Sequence, residues 1–285
     1  MTLTSGSIRD PQPVSEPHVA NVRWPTLDHL AVGVRSWRDA YPRFVSELGG
    51  RWAYGGSPGG YAPYQLAFGD GLRLEFISPG RPDGFLDRFL QRRGPSAHHL
   101  TFKVPDLDEA VRDLTRLGFG TFGDSRAREI WMDTFVHPRD SGIGTLVQVA
   151  RADDEAMVAD TDLTSSPAGF PSPGRQPLAP SVIGVTASDL VRAHDLLGRA
   201  LLGDVIEDGD GWFFATWGTG RSMLVREPSA FPCGDRLWSG LDDPGVSFVV
   251  FADGDPTATT LAAEVGSLVG LPEHPATGVP VWLMG

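Results

Sequence analysis

Apolar residues alternate with polar or small ones in LDHLAVGV (27–34), YQLAF (64–68), LRLEFI (72–77) and HHLTFKV (98–104). This period of two predicts strands with one covered face. Between them, residues 36–48 and 106–117 carry the three-to-four spacing of amphipathic helices. Ser36 and Asp106 stand at the N-cap positions, and Gly49-Gly50 and Gly118 supply the stops. Gly69-Asp70-Gly71 reads as a hairpin turn, and further strands are expected at 130–136 and 145–149. Strand, helix, strands therefore occurs twice, and superposing His29 on His99 takes nearly the same shift as superposing Glu75 on Gln148. Internal duplication is the economical explanation.

Residues 152–180, rich in Pro, Ser, Gly and Asp and without a sustained period, read as a linker. Beyond it a weaker third unit runs through SVIGVTA, the helix SDLVRAHDLLGRALLG, GWFFATWG and RSMLVREP. A fourth runs from VSFVVFA to PVWLMG and is expected to lack its last strand. The expected organisation is a polar arm over 1–24, a complete pair of units over 25–151, the linker, and a degenerate, shortened pair over 181–285. The fold class is α+β.

Side chains two apart on a strand share a face. His29 thus goes with Ala31 and Gly33, Glu75 with Arg73 and Ile77, His99 with Thr101 and Lys103, and Gln148 with Leu146, while the opposite faces are apolar enough to pack under helices. A lone polar residue in a strand is most often just solvated. Two His and one Glu at corresponding places of a duplicated unit, with an amide beside them, point instead to a metal site. Two imidazoles, a carboxylate and an amide oxygen suit a divalent ion such as Zn, Ni, Co, Fe(II) or Mn. His98 is expected to point to the helix side as a structural residue.

LDHLAVGV, LRLEFISP, FLDRFLQRRG, SAHHLTFKVPDLDEAV and TFVHPRDSGIGTLVQVA, taken in order over residues 25–151, resemble the vicinal oxygen chelate (glyoxalase/bleomycin resistance/dioxygenase) superfamily. The pattern is nearest to methylmalonyl-CoA epimerase and lactoylglutathione lyase. The resemblance implies βαβββ modules that pair into an open funnel around one metal, whose four positions fall on His29, Glu75, His99 and Gln148. It also implies a metal that chelates two neighbouring substrate oxygens and stabilises an enolate while a base moves an α proton. This chain departs from the pattern twice. Gln148 stands where the epimerases and lyases carry Glu, and an amide takes up no proton near neutral pH; residues 51–66, between the first helix and the third strand, where the resemblance places the epimerases' second carboxylate base, contain no Asp or Glu. Tyr64, Glu129, Asp133 and His137 remain as substitutes, each with an ordinary reading: packed aromatic, two solvated strand-edge charges, and a turn residue.

In the second pair the ligand places fall on Val182, Leu224 and Ser247, with the fourth beyond Gly285, so no second metal is expected. Trp212, Phe213, Phe214 and Trp217 are expected to fill a core, with the lining of an apolar pocket as the alternative, and the C-terminal pair suits a scaffold, a lid or the surface of a homodimer. Gly59-Gly60 and Gly254 lack the strand-to-helix setting of a phosphate loop.

The composition narrows the function classes. Among 285 residues, 41% are hydrophobic and 21% charged, which is enough for two cores, and the net charge of −12 without a Lys/Arg run disfavours nucleic acid and anionic membranes. A single cysteine, Cys233, excludes an internal disulfide and a thiolate metal cluster. The first residues lack the apolar core of a signal peptide, and no stretch approaches the roughly 18 apolar residues of a membrane span, so a cytoplasmic protein with a small-molecule substrate is expected. Three functions follow: a metal-dependent isomerase or lyase on a small oxygenated substrate, an acyl thioester among the candidates; an Fe(II) ring-cleaving dioxygenase; and a metal-free binding or resistance protein.

Overall fold

Strands with one apolar face must cover it, and here they do so in two mixed sheets backed by helices. The fold comes from a computed structural model that describes residues 25–56, 60–69, 71–272, 274 and 276–285. The expected arm over 1–24, Asp70 of the hairpin turn and Gly59 lie outside the described residues.

The first sheet contains β1 (Thr26–Gly33), β2 (Arg51–Gly55), β3 (Tyr61–Ala67), β4 (Arg73–Pro79), β5 (Ser96–Lys103), β6 (Thr121–Ser125), β7 (Trp131–Val136) and β8 (Leu146–Ala152). Its order is β2-β3-β4-β1-β5-β8-β7-β6. The two units are mirrored in connectivity: β1 lies parallel to β4, β5 parallel to β8, and an antiparallel β1–β5 seam joins them. The sequence pattern missed β2 and β6, short edge strands whose residues are mostly exposed or half-exposed and so carry little alternation. The first helix begins as expected, with the Ser36 hydroxyl accepting from the Arg38 N–H. It is split, however, into a 3-10 turn (Trp37–Ala40) and a π turn (Pro42–Glu47). Pro42 brings no N–H to a regular ladder at that joint. Two α-helices follow, α1 (Phe85–Arg93) and α2 (Leu107–Arg116), the latter capped by the Asp106 carboxylate on the Glu109 N–H.

The second sheet holds β9 (Ala179–Thr186), β10 (Asp204–Gly209), β11 (Trp212–Thr216), β12 (Ser222–Arg226), β13 (Gly245–Ala252), β14 (Val269–Leu271) and β15 (Val281–Met284), in the order β10-β11-β12-β9-β13-β15-β14. It is a second copy of the same plan. The fourth unit does not lack its last strand. β15 lies parallel to β13, as β8 does to β5, and among the described residues what is missing is one of the two strands beyond it. PVWLMG is short but long enough to form four ladder pairs, and that suffices to close the unit.

The helix-side faces of both sheets share one core. Leu30, Phe76, Phe102 and Val149 of the first sheet and Ile183, Val225 and Phe251 of the second belong to a single apolar cluster. Phe251 packs on Phe44 and Phe68, and Phe102 on Trp217. Residues 152–180 are not featureless either: they hold two short helices (Asp154–Ala159 and Thr161–Thr164), and Phe170 wedges between Tyr41 and Trp52. No helix among the described residues is long and apolar enough to cross a membrane.

Because Phe251 is fully buried and its partners lie in the other half of the chain, Phe251→Ala is expected to cost about 3–5 kcal/mol. Denaturant unfolding should show the first sheet losing stability together with the second. Two separate transitions, with only one of them moved, would contradict the shared core.

Candidate functional site

The site begins with two irregularities in the β1–β5 seam. The register slips between Leu27 and His29 and again between Ala31 and Val32, leaving Asp28 out of the ladder on β1 and His98 out of it on β5. A bulge residue is released from strict alternation and its side chain is re-aimed. Asp28 therefore reaches the face that His29 occupies, and its Oδ2 accepts from His29 Nδ1 at 2.8 Å. His98 likewise lies 2.9 Å from His99, Nδ1 to Nδ1. The expectation that His98 serves only the helix side needs correction: its ring does pack on Phe85 and Phe89 of α1, but its Nδ1 orients a site histidine.

His29, Glu75 and His99 come together on the face opposite the core. Glu75 Oε2 stands 3.6 Å from His29 Nε2 and 3.7 Å from His99 Nε2, and one ligand atom from each of the three residues lies within 4.8 Å of the others. All three side chains are buried. Gln65, opposite Glu75 in the β3–β4 ladder, donates its amide N–H to Glu75 Oε1 at 3.2 Å. Two imidazole nitrogens and a carboxylate oxygen at this spacing fit a divalent cation, and the donor set suits any of Zn, Ni, Co, Fe(II) or Mn. With Nδ1 of each imidazole held from outside, Nε2 is the nitrogen turned to the site, as in histidines oriented for metal.

The charges balance around Asp28. Burial alone would raise its carboxyl, but Lys103 Nζ at 3.2 Å, the His29 hydrogen bond and Arg73 hold it well below the usual carboxylate range. Burial alone would lower His29, yet the charge of Glu75 and the bonds to Asp28 and Glu75 outweigh it and lift His29 to about 9. His99 is pushed well down by burial and by the facing His98 and His29, and burial holds His98 near 4. In the metal-free site one imidazole is thus charged and two are neutral, and a cation would take the place of the proton on His29.

Gln148 lies on the same face but is already hydrogen-bonded. Its Oε1 accepts from the Thr101 hydroxyl at 2.7 Å, Thr101 Oγ1 itself sits 2.8 Å from His29 Nε2, and Gln148 Nε2 donates to Asp133 Oδ2 at 2.5 Å. Asp133 is not the solvated edge charge expected of it. It is 7% exposed, it also accepts from Trp131 Nε1 at 3.1 Å, and burial raises its carboxyl despite those two bonds. Alternation within β7 places Asp133 beside Phe135, the ladder partner of Gln148, and this was the available signal. The other substitutes follow their ordinary readings. Glu129 is exposed, Tyr64 stacks on Trp37, and exposed His137 caps the short helix Pro138–Ser141, accepting from the Arg139 N–H.

Among the described residues the second sheet has no such site. Its seam slips at corresponding points, so the residues matching Asp28 and His98 are Ser181 and Ser247, and the place matching His99 is Phe248 rather than Ser247. The fourth place is not beyond Gly285 either: Val250 pairs with Trp282 as Thr101 pairs with Gln148. Val182, Leu224, Phe248 and Trp282 therefore stand at the four places, packed with Phe214 and Trp238 into an apolar cluster. The Phe248 ring crosses Gly184 where a Cβ would sit. Trp212 joins that cluster, while Phe213 and Trp217 enter the main core. Cys233, half-buried, has its thiol pushed up to about 12, chiefly by burial.

Comparison with known proteins bears on this geometry. Residues 28–130 match the family model of the Glyoxalase/Bleomycin resistance protein/Dioxygenase superfamily. A mutant of 4-hydroxymandelate synthase from Streptomyces coelicolor matches at 17% identity over 87% of this chain and 76% of its own, with a TM-score of 0.53, which shows a shared fold. Methylmalonyl-CoA epimerase from Mycobacterium tuberculosis matches at 22% identity over 50% of this chain and 97% of its own, with a TM-score of 0.43. A search of curated protein sequences finds no match.

A His29 value raised above its unfolded value of about 6.5 means that the metal-free fold draws stability from this charge, fully present below that pH and lost as pH rises through about 9. An NMR titration of the metal-free protein should place the His29 midpoint near 9, and Asp28→Asn should lower it. A midpoint near 6.5 in both proteins would contradict the buried network.

Proposed function

We propose, from the match of residues 28–130 to the family model of the glyoxalase/bleomycin resistance protein/dioxygenase superfamily, that this chain is a divalent-metal-dependent isomerase or lyase acting α to a carbonyl in a small oxygenated substrate. Acyl thioesters are within that class. The observation that carries this reading is the convergence of the His29 and His99 imidazoles on the Glu75 carboxylate within 4.8 Å, buried on one face. His29, Glu75 and His99 hold the cation, and Gln148 offers Oε1 as a fourth donor. A divalent cation there supplies Lewis acidity to two neighbouring substrate oxygens.

The chain's own residues supply the remainder. Asp28 and His98 fix the two imidazoles from behind, so little reorganisation accompanies loading. The base that Gln148 cannot be is Asp133, one strand away. Both hydrogen bonds to Asp133 fall on Oδ2, and among the described residues Oδ1 accepts none, so Oδ1 is the atom left to receive the α proton. Burial keeps competing water off this carboxylate, and the Gln148 amide holds it in place.

A second reading rests on the bonds Gln148 already makes. If its amide stays with Thr101 and Asp133, two His and one carboxylate remain, the facial set of Fe(II) oxygenases. Oxygen uptake with catechol-like substrates and Fe(II) would favour this reading, whereas solvent-deuterium exchange of an α proton without oxygen uptake would favour the first.

Elemental analysis of the purified protein tests the metal. The wild type should hold about one divalent ion, and His99→Ala should lose most of it while staying folded, because one missing ligand weakens coordination more than it disturbs a helix-backed sheet. Unchanged stoichiometry would sink the site. Asp133→Asn should keep the ion and slow α-proton exchange by about 10²–10⁴-fold. Exchange at the wild-type rate would remove Asp133 from the role.

A further inference from the structure

The bulge at Asp28 is reached from the other half of the chain. Arg221, in the turn between β11 and β12, donates from Nη1 to the Leu27 carbonyl oxygen at 2.6 Å, across 194 positions of sequence. Leu27 is fully buried, so this oxygen needs a partner, and a bond from a guanidinium is stronger than one from a neutral donor. The Leu27 carbonyl and the Asp28 N–H belong to one planar peptide unit. Fixing its oxygen fixes the plane from which the Asp28 side chain departs, at the residue that the register slip leaves outside the ladder.

The turn that carries Arg221 is itself held. The Arg221 N–H donates to Gly218 O and the Trp217 N–H to Arg221 O, while Gly218 and Gly220 take φ values of 105° and 65°, which glycine adopts without strain. The Gly220 N–H bonds the Asp255 carboxylate, and the Gly220 carbonyl accepts from the Leu72 N–H at 3.2 Å. A Cβ on Gly71 would meet that carbonyl oxygen at 3.3 Å, so a hairpin of each sheet touches the other backbone to backbone.

The two halves follow one plan, and comparing them isolates Arg221. By register, Leu72 holds in the first half the place of Arg221 in the second, and Pro180 and Ser181 hold the places of Leu27 and Asp28. Leu72 is buried and has no side-chain donor to offer Pro180. The reach is therefore made in one direction, toward the half that carries His29, Glu75 and His99. Docking of the halves has its own arginine: Arg192 donates to the Leu117 and Gly118 carbonyls at the end of α2, at 3.2 and 2.6 Å, and packs on Phe119.

We propose that Arg221 is a positioning residue for the metal site, supplied by the C-terminal half of the chain. Through the Leu27–Asp28 peptide it holds the Asp28 carboxylate on His29 Nδ1, and so aims His29 Nε2 at the cation. This assignment deepens, and rests on, the reading of the funnel as a metal site.

The test compares Zn affinity, by competition with a chromophoric chelator, in full-length variants that are folded. Arg221→Met and Arg221→Gln are both made, so that one failing to fold leaves the other. Either should weaken Zn by about tenfold, whereas Arg221→Lys, which keeps a charged donor, should restore most of the affinity. Arg192→Gln should lower stability toward denaturant and leave Zn affinity unchanged. In an Asp28→Asn background the Arg221 substitution should add less than about a twofold effect, because the residue through which it acts is already gone. Zn affinity unchanged without Arg221, a loss fully additive with Asp28→Asn, or an equal loss in Arg192→Gln would each overturn the proposal. A second readout needs no metal: the His29 Nδ1 proton, bonded to Asp28, should give a slowly exchanging downfield NMR signal that Arg221→Met or Arg221→Gln removes and Arg192→Gln keeps. If the wild type binds no Zn, the funnel chemistry falls, and this signal alone decides on Arg221: its persistence without Arg221 overturns the assignment, and its loss supports it.

Discussion

A carboxylate buried between two imidazoles is the constraint on which the site depends. Glu75 lies on the strand parallel to β1, with His29 on one side and His99 on the other, and burial makes each charge there costly unless it is answered. The answers come in layers. Gln65 donates to Glu75, Asp28 accepts from His29, Lys103 faces Asp28, and Asp154 accepts from Lys103 at 2.5 Å. That last contact ties the segment between the two sheets to the site. It extends a charge balance that begins at Glu75 outward to the surface.

The two slips in the β1–β5 seam make this layering possible. On a regular ladder Asp28 and His98 would face away from their histidine neighbours, and each imidazole would be free to rotate. The bulges put both members of each pair on one side, so that every site histidine is held at Nδ1 by the residue before it. The same slips recur in the second sheet with Ser181 and Ser247 at the bulges. The second sheet therefore shares the slips without the site residues.

Much of this was legible in the chain, and what was missed has definite causes. Alternation with a period of two put His29, Glu75, His99 and Gln148 on one face because the opposite residues, such as Leu30, Phe76 and Leu100, are core. Alternation could not foresee Asp28 or His98, since a bulge leaves no compositional mark in LDHL or AHHL. It misplaced the C-terminal counterparts by one residue at Ser247 for the same reason. Asp133 looked like an edge charge because β6, which covers its strand, is polar and short and did not register as a strand. The fourth unit was expected to lack its last strand, although β15 in PVWLMG forms four ladder pairs with β13.

The second pair of modules shows what the same frame becomes without donors. Phe248 and Trp282 occupy places that His99 and Gln148 hold in the first, and apolar packing replaces the polar funnel. Its other face completes the core under the first sheet, so the C-terminal half supports the site's foundation, and among the described residues it contributes no ligand. The most direct measurement of the central claim is the X-ray absorption spectrum of the protein loaded with Zn. The account predicts two imidazole nitrogens at about 2.0–2.1 Å together with oxygen donors. A spectrum with no imidazole scattering, or with sulfur in the coordination sphere, would contradict it.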